Sequence, residues 1–252
     1  MISETVIYVV SSGLLGILAV VFGYHTTRLP ASVRRYGGAV VVGTASMSVA
    51  YLLMAGGALT VETTGREQSI ARFLGYSVTW MAFAYLLGSV ADAGRRYTLV
   101  LLALILWVQW ATLVSWIVAG TAELLVTGTL VVALLAVISL LFVPFTRNAR
   151  KTTANRVLLF SKLKYLTVLG WAGLVTVGMI SEQNLALVDM FVGQIAATYI
   201  DVVLLLGLGG IVLSHVEALG ESTSTSPVGT TGVEATSDAM EGAAAKRPHS
   251  HE

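Results

Sequence analysis

Few residues in this chain are equipped for chemistry, and two of them are charges set in apolar surroundings. Asp201 lies in the run MFVGQIAATYIDVVLLLGLGGIVLS and Arg72 in IARFLGYSVTWMAFAYLLGSV, each the sole charge of its run. A charge inside hydrocarbon is costly, so it faces a bundle interior or a water-filled path and takes a partner. A carboxylate and a guanidinium that meet there can serve a proton path or an ion path. Arg72 alone also fits an interfacial arginine whose stem lies in lipid while its head reaches water. The shorter side chain of Asp201 has no such escape. Cysteine is absent, which excludes a disulfide framework, a thiolate metal site and a cysteine nucleophile. His249 and His251 near the chain end have no third ligand beside them, so no metal site is expected. No phosphate-cradling glycine loop, HExxH helix or Ser-His-Asp set is found, and an enzyme is not expected.

The elements that must position these charges follow from composition. With 56% apolar and 12% charged residues and a mean hydropathy of +0.81, the chain reads as a multi-pass cell-membrane protein. Seven runs are long enough to cross ~30 Å of hydrocarbon: 5–27, 36–58, 70–91, 97–119, 123–146, 157–181 and 188–215. They are continuous rather than alternating, which predicts an all-α seven-helix bundle and not a barrel. The start carries Glu4 and no basic residue before the first run, so that run is expected to stay as a span. Arg28, Arg34, Arg35, Arg95, Arg96, Arg147, Arg150, Lys151 and Arg156 fall in loops of one side, with Lys162 and Lys164 read as the rim of the sixth span. The opposite loops hold Arg66 with Glu62, Glu67, Glu123, Glu182 and Asp189. The positive-inside rule then places the N-terminus outside and the C-terminus in the cytoplasm. The chain divides into a transmembrane domain, 1–216, and a tail, 217–252, rich in Ser, Thr, Gly, Ala and Glu and expected to be disordered. The basic residues are sorted by side rather than gathered in a patch, so the expected surroundings are the lipid bilayer and not nucleic acid.

Four blocks then carry a resemblance. They are YLLMAGG from Tyr51, ARFLGYSVTW from Ala71, SKLKYLTVLGW ending at Trp171 and followed by Ser181 and Glu182, and IDVVLLLGLGG around Asp201. In this order and on these spans the sequence resembles the microbial (type 1) rhodopsins, most closely the haloarchaeal bacteriorhodopsin-like proteins, over about residues 5–215. The resemblance implies the family's seven-helix fold and assigns roles by position. Arg72 matches the arginine that gates the outer proton path, Asp201 the counter-ion carboxylate, and Tyr51 one of the tyrosines bonded to it. Thr79 matches a pocket hydroxyl and Trp171 the tryptophan that lies over the retinal polyene.

The pattern departs where the photochemistry resides. The family's retinal-bearing lysine stands one turn after the aspartate, and here that residue is Leu205. A Schiff base needs a primary amine, so no covalent cofactor is expected. Gly75 and Leu86 stand at the positions of the pump's proton acceptor and donor. Tyr76 replaces a pocket tryptophan, while Leu174, Val175 and Gly178 replace a tyrosine, a proline and a second tryptophan. Two readings follow. Either the former retinal pocket has closed over Leu205, Trp80 and other bulky side chains, or Gly75 and Gly178 have opened room for retinal or another apolar isoprenoid held noncovalently. The function expected is that of an opsin-like membrane protein without covalent retinal, acting as a regulatory, assembly or signalling partner of a membrane protein or of its own copies. The alternatives are a photoreceptor or sensor with a noncovalent retinoid, and a residual ion channel or transporter working through Asp201.

Overall fold

A computed structural model describes residues 4–63, 66–181 and 185–220. Seven helices among them are long and apolar enough to cross a membrane, so the chain is a multi-pass membrane protein. In order they are α1 (Glu4–Thr27), α2 (Ala31–Ala55), α3 (Ile70–Val90), α4 (Gly94–Ser115), α5 (Thr121–Leu140) with its continuation α6 (Thr146–Ala149), α7 (Ala154–Ile180) and α8 (Met190–Ser214). A short α9 (Val216–Gly220) follows. Helices are the solution that an apolar chain without a closed barrel has in lipid, because each satisfies its own backbone. Sequence neighbours pack side by side from α1 to α5 and from α7 to α8, and α8 returns to α1 and α2 while α7 meets α3. Of the best apolar window, 67% is buried in α3 against 17% in α5. That contrast makes α3 the hub of the bundle and leaves α5 largely to lipid.

Boundaries differ from expectation in places that have local causes. Between α2 and α3 an antiparallel hairpin forms, β1 (Thr60–Thr63) with β2 (Arg66–Ser69), pairing Thr60 with Ser69 and Val61 with Gln68. The sequence reading left this segment as a loop. The fifth span does not stop at 146. Pro144 has no N–H to donate, and the helix passes it through a π-turn, Leu141–Phe145, before α6. Thr146 Oγ1 donates to the Leu141 carbonyl at 2.8 Å, which occupies an acceptor loosened by that turn. Side-chain caps start the last two spans: Asp189 Oδ1 accepts from Val192 N at 2.8 Å, and Thr153 Oγ1 accepts from Arg156 N at 3.4 Å. The folded part also runs past the expected limit at 216, because α9 buries Ala218 and Leu219. Residues 221–252, expected as a disordered tail, and Glu182 lie outside the described residues.

Two glycines permit close helix approach. A Cβ on Gly209 of α8 would run into the Phe22 ring of α1. On Gly75 it would stand 2.6 Å from Ala50 Cβ and 3.0 Å from Met47 Sδ, both on α2, while Ser46 Oγ donates to the Gly75 carbonyl at 3.1 Å. Gly75 is therefore a packing residue between α2 and α3, and the idea that it opens room for a ligand is corrected. Gly178 does face open space. Gly75→Ala should destabilise the folded protein by ~1–3 kcal/mol through overpacking, whereas Gly178→Ala should stay neutral or gain slightly. Thermal unfolding of the two variants in detergent checks the contrast.

Candidate functional site

Three helices bring one polar cluster together in the core. On α8, Gln194, Thr198 and Asp201 are spaced by four and three residues, so one helical face carries them all. On α3, Arg72 and Tyr76 are one turn apart and face the same way, and α2 supplies Tyr51. The carboxylate of Asp201 is 1% exposed. Tyr76 OH donates to Oδ1 at 2.5 Å, Tyr51 OH donates to Oδ2 at 2.6 Å, and Arg72 Nη2 reaches Oδ2 at 3.2 Å. Each oxygen thus accepts at least one bond from a group that can only donate or is oriented to donate, the arrangement that compensates a charge removed from water.

The outer part of the cluster fixes the arginine. Arg72 Nη1 donates to Gln194 Oε1 at 3.1 Å, and Gln194 Nε2 donates to Thr198 Oγ1 at 3.3 Å. Thr198 Oγ1 lies in turn 3.2 Å from Tyr51 OH. The guanidinium carbon sits 5.5 Å from the Tyr76 ring centre and 6.0 Å from that of Tyr51. Arg72 is 16% exposed on its side chain and forms the one ion pair among the described residues. It turns inward to a carboxylate rather than reaching out to an interface.

The sequence reading brought Asp201, Arg72 and Tyr51 together and missed Tyr76, Gln194 and Thr198 as members. Tyr76 was assigned to the former pocket as a replaced tryptophan, but its hydroxyl makes the shortest bond to Asp201, so it belongs to the polar cluster. The three-and-four spacing before Asp201 was the available signal for Gln194 and Thr198.

Next to the cluster several of the residues expected to line a retinal pocket pack on one another. Leu205, one turn beyond Asp201, is 1% exposed, and Leu204 beside it is buried as well. Trp80 stacks on Trp171 at 4.9 Å between ring centres and 20° between planes, and its other neighbour is Phe83 at 5.1 Å. Leu174 packs at the edge of this core. Thr79 does not face Trp171: its Oγ1 donates to the Gly43 carbonyl of α2 at 3.0 Å, which corrects its assignment as a pocket hydroxyl. Lys164 is not a residue of the rim. It lies ten residues into α7, is 5% exposed, donates to Thr146 Oγ1 at 3.2 Å and stands 4.4 Å from the Phe142 ring centre. The helical rise still leaves it about 10 Å along the axis from Trp171.

On the far side of α3, Gln109 of α4 donates to the Phe73 carbonyl and to Ser77 Oγ, the latter at 3.2 Å. Trp110 Nε1 shares Ser77 Oγ at 3.1 Å. Chemically the site holds a carboxylate fixed; among the described residues no group of three potential metal ligands exists.

The geometry makes the Arg72–Asp201 pair a test of coupling. Removing either partner alone should cost ~3–5 kcal/mol, since the survivor is left buried and unpaired. Arg72→Gln with Asp201→Asn should cost less than the sum of the singles by ~0.5–3 kcal/mol. Tyr76→Phe should cost ~1.5–3 kcal/mol, as expected for a hydrogen bond to a charged group. Thermal or denaturant unfolding of the set measures all three, and strict additivity would break the account of the pair.

No family model matches the chain. Among curated proteins it is similar to sensory rhodopsin-2 of Natronomonas pharaonis, 27% identical over 186 residues that span 74% of this chain and 78% of the relative. Among solved structures it superposes on the thermophilic rhodopsin of Rubrobacter xylanophilus with a TM-score of 0.80, at 22% identity, over 86% of this chain and 97% of that one. A cyanorhodopsin of Calothrix sp. gives a TM-score of 0.79 at 16% identity, over 87% and 98%. The light-driven proton pump of Leptosphaeria maculans gives 0.76 at 16% identity, over 85% and 95%. The solved structures show that the chain has the microbial rhodopsin fold, and the curated relative adds a sequence similarity to one protein of that kind.

Proposed function

We propose that this protein is a retinal-free, opsin-like membrane protein that works by interaction, as a regulatory, assembly or signalling partner in the membrane. The observation that carries the reading is the state of Asp201. In a retinal protein the seventh-helix carboxylate answers a cation one turn along its helix. Here that neighbour is Leu205, and the carboxylate is met instead by Arg72, Tyr51 and Tyr76. The charge is balanced without a Schiff base, so the bundle needs no chromophore to tolerate it. The Trp80–Trp171 stack supports the same conclusion, since two indole faces in contact leave no slot between them for a polyene.

A signalling role draws on the sequence relative, which is named a sensory rhodopsin. The orientation that fits is the one given by the positive-inside rule, with the C-terminal segment in the cytoplasm. A noncovalent retinoid is the second reading, favoured by the open space beside Gly178 alone.

Incubation of the purified protein with all-trans retinal, followed by borohydride and peptide mass spectrometry, is expected to give no adduct on α8 and none on Lys164. A retinyl peptide from either helix would overturn the proposal. Leu205→Lys should remain unpigmented while Trp80 fills the slot, and Leu205→Lys with Trp80→Ala should bind retinal more readily than the single variant. Equal pigment in both would mean that Trp80 does not block the site.

A further inference from the structure

Two open grooves lie along one face of the bundle, each lined by residues of α2 and α3 alone, and they share Val78. The larger, about 440 Å³, is within the ~300–1,000 Å³ typical of small-ligand sites. Small residues line it, Gly38 and Ala39 on α2 and Ala82 on α3, together with the larger Val42 and Met81. A Cβ on Gly38 would touch nothing within 4 Å. Over eight residues of α2, from Arg35 to Val42, the groove extends for about 10 Å along the helix. It is a largely apolar groove, open to the outside of the bundle.

One end of it is charged. Arg35 stands at the mouth, at the arginine-rich end of the bundle, four residues into α2. Its guanidinium is held in place: Nη2 donates to Tyr36 OH at 2.9 Å, and Cζ lies 4.9 Å from the Tyr36 ring centre. Tyr36 is buried and stacks on Tyr85, itself part of the groove lining, at 6.0 Å and 26°. The neighbouring Arg34 is spent on the α1–α2 turn, donating to the Thr27 carbonyl at 3.3 Å and the Leu29 carbonyl at 3.2 Å. Arg35 has no carboxylate partner among the described residues, where the one ion pair is Arg72 with Asp201. An arginine carries five N–H donors in a planar fork that matches phosphate oxygens, and most of those on Arg35 point to no group in the described network.

We infer that this groove binds an anionic phospholipid of the arginine-rich leaflet, its phosphate on Arg35 and one acyl chain lying between α2 and α3 down to Val78. The charge chooses this occupant over a second copy of the chain. A two-fold dimer through this face, with its axis along the membrane normal, would bring both Arg35 side chains to the same depth and set like charges against each other. A phosphate offers the opposite charge at the depth where head groups meet hydrocarbon.

Native mass spectrometry of the full chain in detergent, titrated with phosphatidylglycerol or phosphatidylcholine of identical acyl chains, tests the site. The wild type should retain phosphatidylglycerol several-fold more than phosphatidylcholine. Arg35→Gln should bring the two lipids to equal occupancy, and Gly38→Leu should fill the groove and lower retention of both. Arg35 is exposed, so its variant keeps the test valid even if Gly38→Leu fails to fold. Equal binding of the two lipids by the wild type, or a preference that survives Arg35→Gln, would overturn the inference. So would a dimer in the wild-type spectra that Gly38→Leu dissociates, because that result gives the face to a second copy.

Discussion

A carboxylate enclosed by seven apolar helices must be balanced where it stands, and Asp201 is balanced from two other helices at once. Tyr51 reaches it from α2, and Arg72 and Tyr76 reach it from α3. Isolated ions of this kind are costly in low dielectric, and their attraction compensates only when geometry and hydrogen bonds are both complete. That requirement fixes the rotation of α8, since Asp201 must point inward, and it fixes the height of α3, since Arg72 must arrive level with it. The packing around the cluster follows from those two constraints. α3 becomes the most buried span, and Gly75 lets it pack closely against α2.

The same constraint accounts for the chemistry that the site lacks. A cation beside Asp201 would have to compete with Arg72, and a second acid at position 75 would be a further buried negative charge without a partner. Gly75 and Leu205 are what a balanced, closed core contains at those places. Around that cluster Trp80 lies against Trp171 and Leu205 is enclosed. On the proposed reading, leucine at 205 and glycine at 75 are one adjustment of charge rather than two separate departures from the family pattern.

Much of this was legible in the sequence because membranes enforce simple rules. Seven apolar runs gave the seven helices, and two lone charges in apolar runs pointed to each other. The details that failed depend on which way a side chain faces. Thr79 was placed toward the retinal site by position, yet its hydroxyl turns to the Gly43 carbonyl. Tyr76 was counted as a missing indole, although its phenol donates to Asp201 and so belongs to the polar cluster. Lys164 was read as rim because it lies about 10 Å along the helix from Trp171, while its contacts with Thr146 and the Phe142 ring enclose it. The hairpin at residues 60–69 escaped notice because a four-residue strand carries little periodic signal.

The proposed function requires a bundle that is complete without a chromophore. Its most direct test is to purify the protein from its native membranes, without added retinal, extract it with organic solvent and quantify retinoid per chain. The account predicts no retinoid above the level of an irrelevant membrane protein prepared in parallel; a retinoid recovered in proportion to the protein would contradict it.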